Sequence, residues 1–279
     1  MTTFTPVTVE GTVTQSVTGT HDRARSRPAF APIPLSRVMA VELRKMFDTR
    51  SGFWMMASIG ILSVLATGAV IIFAPDTEIT YENFAAAIGF PMSVVLPMIA
   101  ILSVTSEWSQ RSGLTTFTLV PHRGRVVLAK ALCAVGVGVA SMALAMVIGA
   151  GGNVLGSTLA GVPTTWDTSA ADLLYITFAN VLGLLTGFTL GVLIRNSAGA
   201  IVGYFVYALL LPTVTNLLAQ SQEWFRDVQP WVNFQWNQQS LFEAGFTGQQ
   251  WVQLAITATA WLILPMAFGV WRVLRSEVK

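Results

Sequence analysis

The sequence is poor in charge: Asp, Glu, Lys and Arg make up only 11% of its 279 residues. A soluble globular domain carries about 25%, because its surface must face water. That shortage excludes an ordinary soluble domain. Cysteine is nearly absent as well. The single thiol, Cys133, lies in an apolar run and can build neither a disulfide framework nor a zinc site. It reads as a small core residue. Histidine is scarce: His21 sits in a polar N-terminal segment and His122 in a basic loop, so no histidine-based metal cluster or triad is available. The Gly-x-x-x-x-Gly-Lys-Ser/Thr loop that cradles nucleotide phosphates is missing. The chain is therefore expected to hydrolyse no ATP by itself, and to hold no catalytic residue, metal or cofactor. Residues 1–34 lack the apolar core of a secretory signal. They are rich in Thr, Ser and Pro and carry Arg23, Arg25 and Arg27, a composition that predicts a disordered tail.

Apolar residues are what the chain has in abundance, at 53% with a mean hydropathy of +0.61. A helix of roughly 20 apolar residues crosses a hydrocarbon core of about 30 Å. Six stretches meet that test, at about 53–73, 84–105, 126–150, 172–194, 198–219 and 250–271. The expected fold is an all-α integral membrane protein with six transmembrane helices. The middles of these spans carry no charge; Glu107, Lys130 and Asp172 fall at or near their ends. A charge at the bilayer centre is expensive and marks ion or proton pathways. Its absence argues against a proton-coupled pump and against a membrane enzyme that needs carboxylates at depth.

Lys and Arg bias sets orientation. An even number of spans places both termini on one side. Of the 16 Lys and Arg residues, all but Arg226 then fall on that side. The expectation is a multi-pass protein of the cell membrane with both termini cytoplasmic. The opposite face carries Asp76, Glu78, Glu82, Asp167, Asp172, Glu223, Asp227 and Glu243.

Two cytoplasmic segments stand out. Residues 34–50 form an amphipathic, basic helix before the first span. At 100° per residue, Leu35, Met39, Leu43, Met46 and Phe47 share one face, with Arg37, Arg44 and Asp48 opposite. It reads either as a plain interfacial anchor or as an elbow helix that transmits force from a partner. The loop after the second span runs from Glu107 through Arg111, Gly113 and Thr115 to Pro121, Arg123, Arg125 and Lys130. Glu107 and Arg111 can pair across one helical turn. Residues 114–120 can form one short helix that Pro121 ends.

This pattern resembles the ABC-2 class of ABC-transporter permeases: a Glu, a Gly-Thr-like turn, an apolar helix, then Pro-x-Arg-x-Arg and a Lys entering the next span. Glu42, Arg44 and Lys45 before the first span resemble the elbow helix of the same family. The likeness covers residues 35–275. The family's Gly-Thr pair appears here as Gly113-Leu-Thr115, a departure at that turn. The resemblance implies that the loop is a coupling helix docking on a separate cytoplasmic ATPase subunit, which binds the ATP. It also implies a second permease subunit, the same or different, around a substrate path. It assigns no nucleic-acid partner. The organisation it implies is a cytoplasmic tail (1–34), an ABC-2-type transmembrane domain (35–275) and a cytoplasmic end (276–279). The implied function is the permease subunit of an exporter. A secondary transporter and a non-transporting membrane scaffold stay open as alternatives.

Three further features bear on packing. Gly183, Gly187 and Gly191 recur every four residues, a face that lets another helix approach closely, within the bundle or at a dimer interface. Pro97 and Pro212 lie inside spans and predict kinks. The segment 220–249 carries Trp224, Phe225, Trp231, Phe234, Trp236, Phe242 and Phe246 among Gln, Asn and acidic residues. Trp is enriched at membrane interfaces. The expectation is short re-entrant helices between the last two spans, with an interfacial loop as the alternative.

Overall fold

A computed structural model describes residues 33–109, 123–243 and 245–275. The expected tail (1–34, but for residues 33 and 34) and C-terminal end (276–279) lie outside the described residues. Among the described residues there is no strand, only an isolated bridge between Thr80 and Thr165. Helix α1 (Leu35–Asp48) leads into α2 (Arg50–Phe73). Then come α3 (Tyr81–Ser109), α4 (Arg123–Ala160), α5 (Ala170–Ile194) and α6 (Ser197–Ser221). Two short helices, α7 (Glu223–Val232) and α8 (Phe234–Ser240), precede α9 (Gly248–Arg275). Six of these, α2 to α6 and α9, are long and apolar enough to cross a membrane. This is the architecture of a multi-pass membrane protein.

Helix starts follow local capping chemistry. The Thr49 hydroxyl accepts from Gly52 N at 3.0 Å to open α2. Ser169 and Asp172 form a reciprocal capping box at α5, as do Thr247 and Gln250 at α9. Between α5 and α6 the chain turns within two residues. Arg195 takes the left-handed conformation (φ 56°) that ends α5, and the Asn196 side chain then accepts from Gly199 N at 2.8 Å.

Helix α5 is the centre of the bundle. Of its most apolar window 61% is buried inside the protein, against 6% for α6, which leaves its sides to the solvent of the bilayer. The core between α3, α4 and α5 is built from Met92, Leu96, Ala134, Met142, Leu184 and Phe188, all buried.

Helix α4 departs from the sequence expectation. It runs 38 residues rather than stopping near Ala150. At a rise of 1.5 Å per residue that is roughly 57 Å, far more than a hydrocarbon core needs. The run Gly151-Gly152-Asn153 reads as a break, but tertiary contact keeps it helical. A Cβ at Gly152 would collide with Thr67 Cγ2, and one at Gly156 would lie 3.2 Å from Ile79 Cγ2 and Phe84 Cζ. Gly152 and Gly156 mark close approach of α2 and α3, whereas Gly151 faces open space.

The antiparallel helices give the bundle two ends. One gathers α1, the start of α4 and the Arg195 turn, and carries all the described basic residues but Arg226. The other gathers the 74–80 and 161–169 connections, α7 and α8, and carries most of the described acidic ones. Its connections are tied together: Tyr81 N and Asn153 Nδ2 both donate to Thr165 O, at 3.2 and 2.8 Å. Glu82 N donates to Asp167 Oδ1 at 2.9 Å, capping α3.

Helices α6 and α9 each contain a π turn, Val206–Leu210 and Thr259–Ile263, shortly before Pro212 and Pro265. Such turns interrupt the regular ladder.

Candidate functional site

At the basic end, α1 is not a floating anchor. Val38 and Glu42 are buried, whereas Leu43 and Phe47 are exposed. The sequence expectation placed Leu43 and Phe47 with Leu35, Met39 and Met46 on one apolar face. The inward face is instead the column of Val38, Glu42 and Met46, because a buried cation waits beneath it.

That cation is Lys130, on the second turn of α4. Glu42 is 4% exposed and Lys130 7%. Lys130 Nζ pairs directly with Glu42 Oε2 and also donates to Ser103 O of α3 at 3.1 Å. Lys45 Nζ donates to the other carboxylate oxygen, Glu42 Oε1, at 2.9 Å. Cys133 Sγ, one turn along from Lys130, contacts Met39 O at 3.4 Å. Three helices thus meet at one ammonium, that of Lys130. Burial alone would raise the Glu42 pKa, but Lys130 and then Lys45 outweigh it and hold the carboxyl below its usual 4.5. Removing one partner of such a pair strands a charge at a cost of about 3–5 kcal/mol, whereas replacing both by apolar groups is often neutral. Arg44 pairs with Asp48 at 3.2 Å in full exposure, an interaction worth little.

Arg125 is exposed on the first turn of α4, and its Nη1 donates to Ile33 O at 3.4 Å, just ahead of α1. Glu107 lies in the last turn of α3 and Arg123 opens α4. Arg111, Gly113, Thr115 and Pro121 lie outside the described residues. The end of α5 adds a further cation: the Arg195 guanidinium lies 5.8 Å from the Trp108 ring centroid. In the last turn of α9, Arg275 sits 4.5 Å from the Trp271 ring.

The glycine face of α5 is turned toward α3. A Cβ on Gly187 would lie 2.7 Å from the backbone oxygen of Pro97. One on Gly191 would lie 3.4 Å from Ile101 O, and one on Gly183 2.9 Å from Gln238 Nε2 of α8. Gly187 is therefore the tightest crossing in this row.

Two prolines in the spans free backbone carbonyls, and side chains take them up. Pro97 has no N–H to give Ser93 O, four residues earlier. Tyr204 OH of α6 donates there at 2.9 Å. Pro212 leaves Ala208 O in the same position, and Gln235 Nε2 of α8 donates to it at 2.9 Å. Gln235 of α8 is thus tied to α6, and Trp261 Nε1 ties α9 to Val232 O of α7 at 2.8 Å.

Sequence reasoning singled out Glu42 and Lys130 separately and missed their pairing. The available signal was an acid in the apolar column of α1 and a base inside the apolar run Val126 to Ala134, each alone in its row. Comparison with known proteins finds no matching family model and no matching curated protein.

Proposed function

We propose that this chain is the membrane-spanning permease subunit of an ATP-driven exporter of the ABC-2 class. A separate cytoplasmic ATPase subunit binds and hydrolyses the ATP, and a second permease subunit, identical or different, completes the transport path. The basic end faces the cytosol at the cell membrane. Helix α1 acts as the elbow, the loop 107–130 as the coupling segment, and α7 with α8 as re-entrant helices at the outer face.

The observation that carries the reading is the buried tie from Glu42 on α1 through Lys130 on α4 to Ser103 O on α3. A force applied to α1 or to the loop that joins α3 to α4 reaches both helices through one ion pair. Such a partner biases the permease between two conformations by binding one better than the other. In this mechanism the chain performs no bond chemistry.

The test is charge reversal. Arg123→Glu with Arg125→Glu is expected to weaken co-purification with the ATPase subunit, while membrane insertion stays intact. Undiminished co-purification together with undiminished ATPase activity of the complex overturns the reading.

A further inference from the structure

At the acidic end a cavity of about 620 Å³ opens between α3, α5, α6 and α8. That is the size of a site for a small organic molecule, roughly 300–1,000 Å³. Its wall is mixed. Phe90, Val94, Ile176, Leu209 and Phe242 supply apolar surface. Glu82, Asp167 and Asp172 supply carboxylates, and among the described residues no Lys or Arg lines it.

Amides stand out among the polar groups of the wall, which also include the hydroxyls of Ser93, Thr168, Tyr204 and Tyr207. Asn180 is 3% exposed and Gln235 7%, and both line the cavity together with Gln238. Each has already committed its amide nitrogen to a helix carbonyl. Asn180 Nδ2 donates to Ile176 O, Gln235 Nε2 to Ala208 O and Gln238 Nε2 to Ala179 O, each at 2.9 Å. Those bonds fix the orientation of all three amides, since a flipped amide would set oxygen against oxygen. The three amide oxygens are left over. Asn180 Oδ1, Gln235 Oε1 and Gln238 Oε1 are buried and have no hydrogen-bond partner among the described residues. A buried polar atom without a partner costs free energy, so three in one cavity call for a ligand that donates.

An ammonium group has three donors and no acceptor, which complements the three amide oxygens; the Tyr207 and Thr168 hydroxyls, also without a partner among the described residues, can accept from it as well. The rim of carboxylates in low-dielectric walls focuses negative potential on the same space. We infer that the cavity binds amphipathic amines: the protonated amine donates to the oxygens of Asn180, Gln235 and Gln238, and the apolar part lies against Phe90, Val94 and Phe242.

The inference stands on the cavity and does not need the ATPase. It is read on the full chain alone in nanodiscs of neutral lipid, without nucleotide. Equilibrium binding of dodecylammonium is compared with dodecyl sulfate and dodecanol, which share its alkyl chain, each corrected for its own partitioning into nanodiscs without the protein. Saturable binding of the ammonium is expected, at least about tenfold tighter than either. Ala86 is exposed on the cavity wall, so Ala86→Trp fills the space without touching the amides or the core. It is expected to abolish saturable binding. Glu82→Gln, at an exposed rim position, is expected to weaken it severalfold, and more so at low salt. Dodecyl sulfate or dodecanol binding as tightly, or ammonium binding that survives Ala86→Trp, overturns the inference. Weakened ATPase co-purification in the charge-reversal variant with amine binding retained separates the two readings.

Discussion

The two ends of the bundle solve one problem with different chemistry. Each buries polar groups among apolar helices. At the basic end a full charge is buried, and Glu42 is answered by Lys130 and Lys45. At the acidic end the buried groups are neutral. Tyr204 and Gln235 answer carbonyls released by Pro97 and Pro212, and three buried amide oxygens of residues that line a cavity have no partner among the described residues. An ion pair is all-or-none, because losing one partner leaves a charge in low dielectric. A neutral network can be left part-filled at a smaller cost. The first arrangement suits a joint that must hold; the second suits a place that takes and releases a molecule.

The largest expected effect lies at the joint. Glu42→Ala or Lys130→Ala should each lower stability by about 3–5 kcal/mol in chemical unfolding from mild detergent. Glu42→Leu combined with Lys130→Met should recover most of that loss. A double variant as unstable as the singles would mean that the pair is not the joint. The next effect concerns the crossing of α3 and α5. Gly187→Leu meets a backbone oxygen rather than a flexible side chain, and should cost about 3 kcal/mol by the same measurement. An unchanged unfolding midpoint would show that α3 does not press there.

The neutral network should yield smaller numbers. Tyr204→Phe leaves Ser93 O unanswered and should cost about 1–2 kcal/mol. Adding Pro97→Ala supplies a backbone N–H for that carbonyl, so the double variant should cost less than the sum of its parts. Strict additivity would separate the tyrosine from the proline. The smallest effect is in pH. The Glu42 carboxyl is held below 4.5 in the folded protein. Its contribution is therefore complete above about 4.5 and is lost as pH falls through the lower folded value. Between pH 6 and 8 Glu42 should leave stability flat, and the part of the acid-induced loss that Glu42 contributes should vanish in the Glu42→Leu, Lys130→Met variant, as read from unfolding midpoints across the acid range.

Much of this organisation was legible from hydropathy alone. Six apolar stretches and their polar breaks correspond to six long helices, because hydrocarbon leaves few options for backbone polar groups. The basic helix before the first span was legible from its charge pattern. Its inward face was not, since the pairing of Glu42 with Lys130 joins residues 88 positions apart. The extension of α4 was hidden by glycines that signal a break locally and a close helix contact in three dimensions. The cavity was hidden for the same reason. Asn180, Gln235 and Gln238 come from α5 and α8, and nothing in either segment says that their nitrogens are spent on helix carbonyls while their oxygens are left free.

Labelling decides most directly which end of the bundle meets the cytosol. In a Cys133→Ala background, single cysteines replace Arg125 at the basic end and Thr164 at the acidic end, both exposed. A membrane-impermeant maleimide added to intact cells should modify the cysteine at 164 and spare the one at 125 until the membrane is opened. Modification at 125 from outside, with 164 protected, would put the joint on the wrong side for any ATP-driven partner.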